Sequence, residues 1–308
     1  MTKRFTIVGL GEALWDEFPD GPRFGGAPAN FACHAAMLGA DASLVSRVGD
    51  DDLGARAVAA VRACGVDTAH VGTGPFPTGT VRVELDAAGK PTFTIRENVA
   101  WDHLAWSDDL GPLAARADAA CFGSLGQRSA EARESIRRFL DSTRPDCLRL
   151  FDVNLRPPFY DRRVILDSLG LANALKLNDD ELPIVAAMLG VSGTEADAMA
   201  ELARRFGLAL VALTRGPRGA MLLAVGTFHE CPSLPVAVVD TVGAGDAFTA
   251  ALTLGWLRGD DLGEVGRRAC RVAEFVCSRA GATPALPEAM RGWGDACGGP
   301  TPPPNPLP

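Results

Sequence analysis

Val239 to Gly259 reads VDTVGAGDAFTAALTLGWLRG: an apolar run, two glycines flanking an alanine, an aspartate, and then a long apolar segment of helical character. A glycine-rich turn lets the backbone amides of Gly243, Ala244 and Gly245 converge, and the N-terminus of a following helix adds partial positive charge at the same point. Such a nest suits a phosphate, or charge that develops while a phosphoryl group is transferred. Asp246 stands beside it, where a carboxylate can take the proton of a hydroxyl as that oxygen attacks phosphorus. An aspartate at a helix start also has a plainer use as a cap, and the stretch alone does not separate the two.

A second polar group suits a sugar. Asp16 can accept two hydroxyl protons, Asn30 can donate and accept, and Gly25 and Gly26 let backbone approach a ring closely. Taken alone, GGAPAN reads as a turn with Asn30 capping the helix that follows. Glu12 reads equally as a pocket residue or as a solvated carboxylate at a strand end. In FDVNLRPP, Asp152, Asn154 and Arg156 end a strand-like run. In a parallel sheet that end faces the ligand crevice, with a merely solvated strand end as the alternative.

These residues need a frame that brings them together. RFTIVGLGE reads as a buried strand, FACHAAMLGA as a helix of small residues able to lie close to a sheet, ASLVSRVG as a strand and DLGARAVAAVRACG as an amphipathic helix. The alternation continues through ADAACFGS, SAEARESIRRFLDS, CLRLFDVN, ANALKLN and LALVALTRG. It predicts an α/β fold with a mostly parallel sheet and helices on both faces. The rhythm breaks at TGTVRVELDAAGKPTFTIRENV, two strands joined by DAAGK with no crossover helix. This hairpin, Thr78 to Asn98, together with the segment from Asp16 to Arg23, is expected to form a lid. The domain reading is one unit over 1–298, with lid segments at about 12–30 and 73–103, and a Pro-rich tail at 299–308.

Composition excludes several classes. A net charge of −8 without a Lys/Arg cluster argues against a nucleic-acid partner. Neither a signal-like N-terminus nor an 18-residue apolar span is found, so a cytoplasmic protein without a membrane partner is expected. Eight scattered cysteines form no CxxC pair, and four histidines have no metal-ligand spacing; the thiols read as small buried or idle groups. GLGEAL lacks the third glycine of a dinucleotide fingerprint, which disfavours an oxidoreductase, and no Walker A motif occurs.

DTVGAGDAF, GGAPANFA (Gly25 to Ala32), LNDDE with Asn178 and Glu181, and LTRGPRGAML together resemble the signature elements of the ribokinase-like (PfkB) sugar kinases. They stand in family order and cover the chain from about Gly9 to Pro284. The resemblance implies a three-layer α/β/α sandwich with a small β lid, and phosphoryl transfer from ATP to a sugar's primary hydroxyl. It implies Asp246 as base and Gly243, Ala244 and Gly245 as the anion hole. Asp16, Gly25, Gly26, Asn30, Arg96, Asn154 and Arg156 would face the sugar. Asn178, Thr214, Gly216, Gly219 and Gly245 would lie by the nucleotide, and Glu181 would help hold Mg²⁺ through water. A monovalent cation such as K⁺ is implied near Asp240, Val242, Arg279 and Gly281. Ala285 stands where some members carry a hydroxyl, and Cys270 near where many carry Asn beside the adenine. The expected partners are a small sugar and ATP, with a homodimer paired through the exposed lid strands.

Within the family, GEALWDEFPDGPRFGGAPANFA, RVGDDDLG, ENVAWDHL and FDVNLRPP are similar to the bacterial fructokinases, which implies fructose as acceptor. Ketodeoxygluconate kinases share the NLR element and ribokinases the catalytic end. A silent sugar- or nucleotide-binding regulator on the same fold is the alternative of another class.

Overall fold

The computed structural model describes residues 4–18, 21–85 and 91–291. The DAAGK turn and the tail expected at 299–308 lie outside the described residues. Along the chain come β1 (Thr6–Leu10), β2 (Leu14–Phe18), β3 (Gly21–Gly25), α1 (Ala27–Met37), β4 (Asp41–Gly49), α2 (Asp52–Ala63), β5 (Val71–Gly74), β6 (Gly79–Leu85) and β7 (Pro91–Ile95). Then follow α3 (Leu110–Arg116), β8 (Ala119–Phe122), α4 (Ala130–Asp141), β9 (Leu148–Asp152), α5 (Arg162–Leu171), β10 (Ala174–Asn178) and α6 (Glu181–Leu189). The chain continues through α7 (Glu195–Phe206), β11 (Leu210–Thr214), β12 (Ala220–Ala224), β13 (Thr227–Cys231), α8 (Ala244–Arg258) and α9 (Leu262–Cys277).

A nine-stranded sheet runs in the order β13-β12-β11-β10-β9-β8-β1-β4-β5. From β11 to β5 every pairing is parallel, while β12 and β13 form an antiparallel edge. The central strands are apolar on both faces because successive side chains point to opposite sides. Ile7, Leu150 and Leu210 join the core under α1, α2, α8 and α9; Val8, Phe151 and Val211 join the core under α3 to α7. The result is the expected α/β/α sandwich.

The close seating of α1 on β1 rests on Gly9, where a Cβ would lie 2.3 Å from the carbonyl oxygen of Pro28. The expectation that Asn30 caps this helix is corrected. The N-cap is Gly26, at φ 108, and Pro28 occupies the first turn, where its missing N–H is no loss. Asn30 therefore sits inside α1, with its side chain free for other work.

A separate four-stranded sheet has the order β3-β2-β6-β7. Both hairpins are antiparallel, and β2 and β6 join them in parallel, with Asp16 opposite Val81. The two segments expected to form a lid therefore do share one small sheet. No helix among the described residues is long and apolar enough to cross a membrane.

Candidate active site

Helix α8 starts in the glycine turn. Gly243 is its N-cap, left-handed at φ 79, and a Cβ there would lie 2.2 Å from the carbonyl oxygen of Ala282, so only glycine fits. No side chain caps the first turn of α8, as a turn that is to receive an external anion requires. The Ala244 amide leans on the Thr241 carbonyl at 3.3 Å, a long bond that an anion could displace.

Asp246, in that first turn, is not a cap. Its Oδ2 instead accepts a hydrogen bond of 2.8 Å from Asn30 Nδ2, which reaches across from α1. Its carboxyl is pushed up to about 6, chiefly by burial and then by the charge of Asp152, against the opposing pull of Asn30, Lys176 and Arg156. The group is enclosed by protein yet partly accessible from the cleft, an environment suited to a base that works near neutrality.

Beneath the turn lies a buried ion pair that sequence reasoning missed. Lys176 Nζ is 3.0 Å from Asp152 Oδ1, and Thr249 Oγ1 donates to Asp152 Oδ2 at 3.0 Å. Burial opposes the lysine's charge, but Asp152, Glu181 and Asp246 outweigh it and hold the ammonium above the ordinary lysine range. Nζ lies 3.2 Å from where a Cβ on Gly245 would be, so a fixed cation sits directly under the nest. The available signal was one lysine in the otherwise apolar ALKLN, two residues before Asn178.

On one side of this centre stand the sugar candidates. Asp16 projects from β2 over Gly25, where a Cβ would approach its Oδ2 to 2.9 Å; a Cβ on Gly26 would lie 2.5 Å from the carbonyl oxygen of Glu12. Glu12 itself is only 2% exposed, so the solvated reading is excluded. Burial pushes its carboxyl up to about 7 and that of Asp16 to about 6. Arg156 is exposed just beyond β9, and its positive charge lowers the pKa of Glu12, Asp16 and Asp246 alike. Asn154, at φ 42, is one of three non-glycine residues at positive φ among the described residues, a strained conformation of the kind that gathers at functional sites. The structure does not join Arg96 to this group. Its side chain is exposed, and among the described residues its bonds run through its backbone, to Thr80 and Arg128.

On the other side of the centre is a cavity of about 590 Å³. Asn178, Thr214, Gly216, Gly219 and Gly245 line it together with Lys176 and Ala244. An apolar wall from Leu234 to Val238 and the α9 residues Cys270, Glu274 and Cys277 complete it. Asn178 and Glu181 form a reciprocal box. Asn178 Oδ1 accepts from the Asp180 and Glu181 amides, and Glu181 Oε2 accepts from Asn178 N at 2.9 Å. Glu181 Oε1 accepts from Leu155 N at 2.9 Å, tying the ends of β9 and β10 together.

Asp240 bridges two loops. Its Oδ1 accepts from Val242 N at 3.0 Å and its Oδ2 from Gly281 N at 3.1 Å, while Arg23 Nη1 lies 3.7 Å from Oδ2. The Arg279 side chain turns away, stacking over Phe275. A guanidinium already beside this carboxylate fits a monovalent cation poorly, and no step is assigned to one.

Residues 21–289 match the model of the pfkB family of carbohydrate kinases. A fructokinase from Klebsiella pneumoniae is 34% identical over 258 residues, 80% of this chain and 82% of that protein. A 2-dehydro-3-deoxygluconokinase from Thermoproteus tenax is 31% identical, covering 85% of this chain and 82% of that protein. A sugar kinase from Pyrococcus horikoshii, solved in complex with ATP, superimposes with a TM-score of 0.76 at 28% identity, over 91% of this chain and 94% of the other.

Proposed function

From the chain's membership of the pfkB family of carbohydrate kinases, we propose that it transfers the terminal phosphoryl group of ATP to the 6-hydroxyl of fructose. The observation that carries this reading is the position of Asp246. It is held by Asn30 in the very turn whose amides form the nest, between the 590 Å³ cavity and the polar group around Asp16.

In this reading the sugar lies against Gly25 and Gly26, with ring hydroxyls bonded to Asp16 and its primary hydroxyl directed at Asp246. The ionised Asp246 takes the hydroxyl proton as the oxygen attacks phosphorus. The first-turn amides of α8, its dipole and Lys176 hold the charge on the phosphoryl oxygens; these groups are fixed before reaction, so no reorganisation opposes the step. Kinases of this kind work on a magnesium complex of the nucleotide, the ion neutralising phosphate charge. Among the described residues no group of three or more His, Cys, Asp or Glu is placed to hold a metal. Glu181, with one backbone N–H on each oxygen, fits a role through water, which suits an ion that keeps its hydration shell. Water must be kept from the transferring group, and the small sheet carrying Asp16 is the proposed lid.

A neutral acceptor suits the charges. Arg156 already offsets the charge of Glu12, Asp16 and Asp246, and Arg23 that of Asp16 while standing 3.7 Å from Asp240. An acid sugar would need an arginine to itself, ideally bidentate. The deciding experiment measures ADP release with fructose and with 2-keto-3-deoxygluconate under one set of conditions. kcat/KM for fructose is expected to exceed that for the acid sugar by at least about tenfold, roughly 1.4 kcal/mol of transition-state discrimination. A preference for the acid sugar overturns fructose and leaves the kinase chemistry standing.

A further inference from the structure

Helix α1 reaches the catalytic turn twice. Asn30 holds Asp246 directly. Four residues on, along the same helix face, His34 is fully buried, with Nε2 2.9 Å from the carbonyl oxygen of Ala282. A carbonyl can only accept, so Nε2 carries the proton and Nδ1 is the bare lone pair, which is buried without a partner. Burial pulls this imidazole down to about 4, so it stays neutral across the working range and acts as a fixed donor.

Ala282 presses on the catalytic turn itself. Its carbonyl oxygen lies 2.2 Å, and its Cα 2.7 Å, from where a Cβ on Gly243 would be. The preceding amide, Gly281 N, is bonded to Asp240, which also accepts from Val242. Residues 281–282 are thus the wall against which the turn from Asp240 to Gly243 is formed, and His34 fastens that wall at the very carbonyl oxygen that meets Gly243. The sequence hides this because FACHAAM reads as an apolar helix in which a histidine is filler.

We propose that His34 is a positioning residue for phosphoryl transfer: through Ala282 it fixes the backbone of Gly243, and with it the aim of the amides that receive the phosphoryl group. One rigid helix then sets both halves of the reaction, the base through Asn30 and the anion hole through His34. The inference rests on the reading of the α8 first turn as that hole. Without the donor, the Ala282 carbonyl is left buried and unpaired, a state costly enough to drive the loop toward water. The turn that packs on it then moves as well.

The test compares His34→Leu, which removes the donor, with His34→Gln, whose side-chain amide can donate from close to the position of Nε2. Steady-state kinetics, thermal unfolding and hydrogen exchange of the amides from 240 to 247 are measured in both variants and the unaltered enzyme. His34→Leu is expected to lower kcat about 10- to 100-fold, the usual result of a small misplacement. KM for sugar and ATP should stay within about threefold, since the ground-state contacts are untouched. The amides of Gly243 to Gly245 should exchange faster, and His34→Gln should recover most of the loss. If unfolding shifts while kcat and exchange at 243–245 stay as in the unaltered enzyme, His34 is a packing residue and the proposal fails. It fails equally if His34→Gln is no better than His34→Leu. Should the leucine variant not fold, His34→Asn, with an amide too short to reach, replaces it. If the unaltered enzyme turns over no sugar, the proposed function is at fault, and the exchange measurement alone still decides the role of His34.

Discussion

Replacing Asp246 by asparagine should slow the enzyme and stabilise the fold together. The Asp246 carboxyl rises from 3.8 to about 6 on folding, so the native state binds its proton more tightly than the unfolded chain does. That proton's contribution to stability is fully present below the unfolded pKa and is lost as pH rises through about 6. Above that point the fold carries an ionised, desolvated carboxylate. The difference of about 2.2 units (6 minus 3.8), at about 1.36 kcal/mol per unit, sets an upper figure of about 3 kcal/mol. The carboxylate looks into a cleft that admits water, so roughly 1–2 kcal/mol is expected at pH 8, shrinking to a few tenths toward pH 4. Asparagine keeps the volume and can still accept from Asn30, but it cannot take a proton, and kcat should fall roughly 10²–10⁴-fold. A helix cap behaves oppositely: aspartate is favoured near a helix N-terminus, so losing its charge would destabilise slightly and leave turnover alone. Denaturant titrations at pH 8 and pH 4, paired with kcat, separate the two. A variant no more stable at pH 8 than the parent refutes the strained carboxylate, and one with near-parental kcat refutes the base.

The same carboxyl predicts that kcat/KM of the unaltered enzyme falls on the acid side with a midpoint near pH 6, and a flat profile down to pH 4.5 contradicts it. Lys176→Met should cost roughly 3–5 kcal/mol in chemical denaturation because Asp152 is left buried and unpaired; a variant of parental stability means that the ion pair is not buried in solution. Gly26→Ala combines an unfavourable φ of 108 with a Cβ 2.5 Å from the Glu12 carbonyl oxygen, and should abolish sugar-dependent turnover; retained KM for fructose argues against close backbone approach there. Hydrogen exchange in β6 should slow at saturating fructose, and an unchanged rate counts against the small sheet as a lid.

The residues that were legible in the sequence are those whose chemistry leaves a local mark. Gly243 to Asp246 announces a turn, a nest and an acid within a few residues, and the central strands β1, β8 and β11 are apolar on both faces, as a covered parallel sheet requires. What stayed hidden depends on partners distant in sequence. Lys176 meets Asp152 across neighbouring strands. Asn30 meets Asp246 from 216 residues away, which is why a cap seemed its natural use until Gly26 proved to hold that position. The parallel pairing of β2 with β6 joins two separate insertions and leaves no periodicity to read. The antiparallel edge of β12 and β13 turns at Val225, at φ 48, followed by Gly226 at φ 75, and that signal was available in AVGTF.

The choice of substrate and the working of the base are one electrostatic problem. Glu12, Asp16 and Asp246 all have pKa values raised toward neutrality, with one exposed arginine acting on all three. A further carboxylate about 6 Å from Asp246 would add about 2.8 kcal/mol of repulsion at an effective dielectric of about 20. That repulsion corresponds to a further rise of about two units. Asp246 would then hold its proton at physiological pH and could not accept another. Arg156 or Arg23 could cancel that repulsion by turning toward the substrate, and the acids they now serve would in turn become harder to ionise. A neutral sugar leaves this balance as the fold sets it. In the proposed reading, the acids that bond the sugar hydroxyls and the acid that removes the proton stand close together because fructose brings no charge of its own.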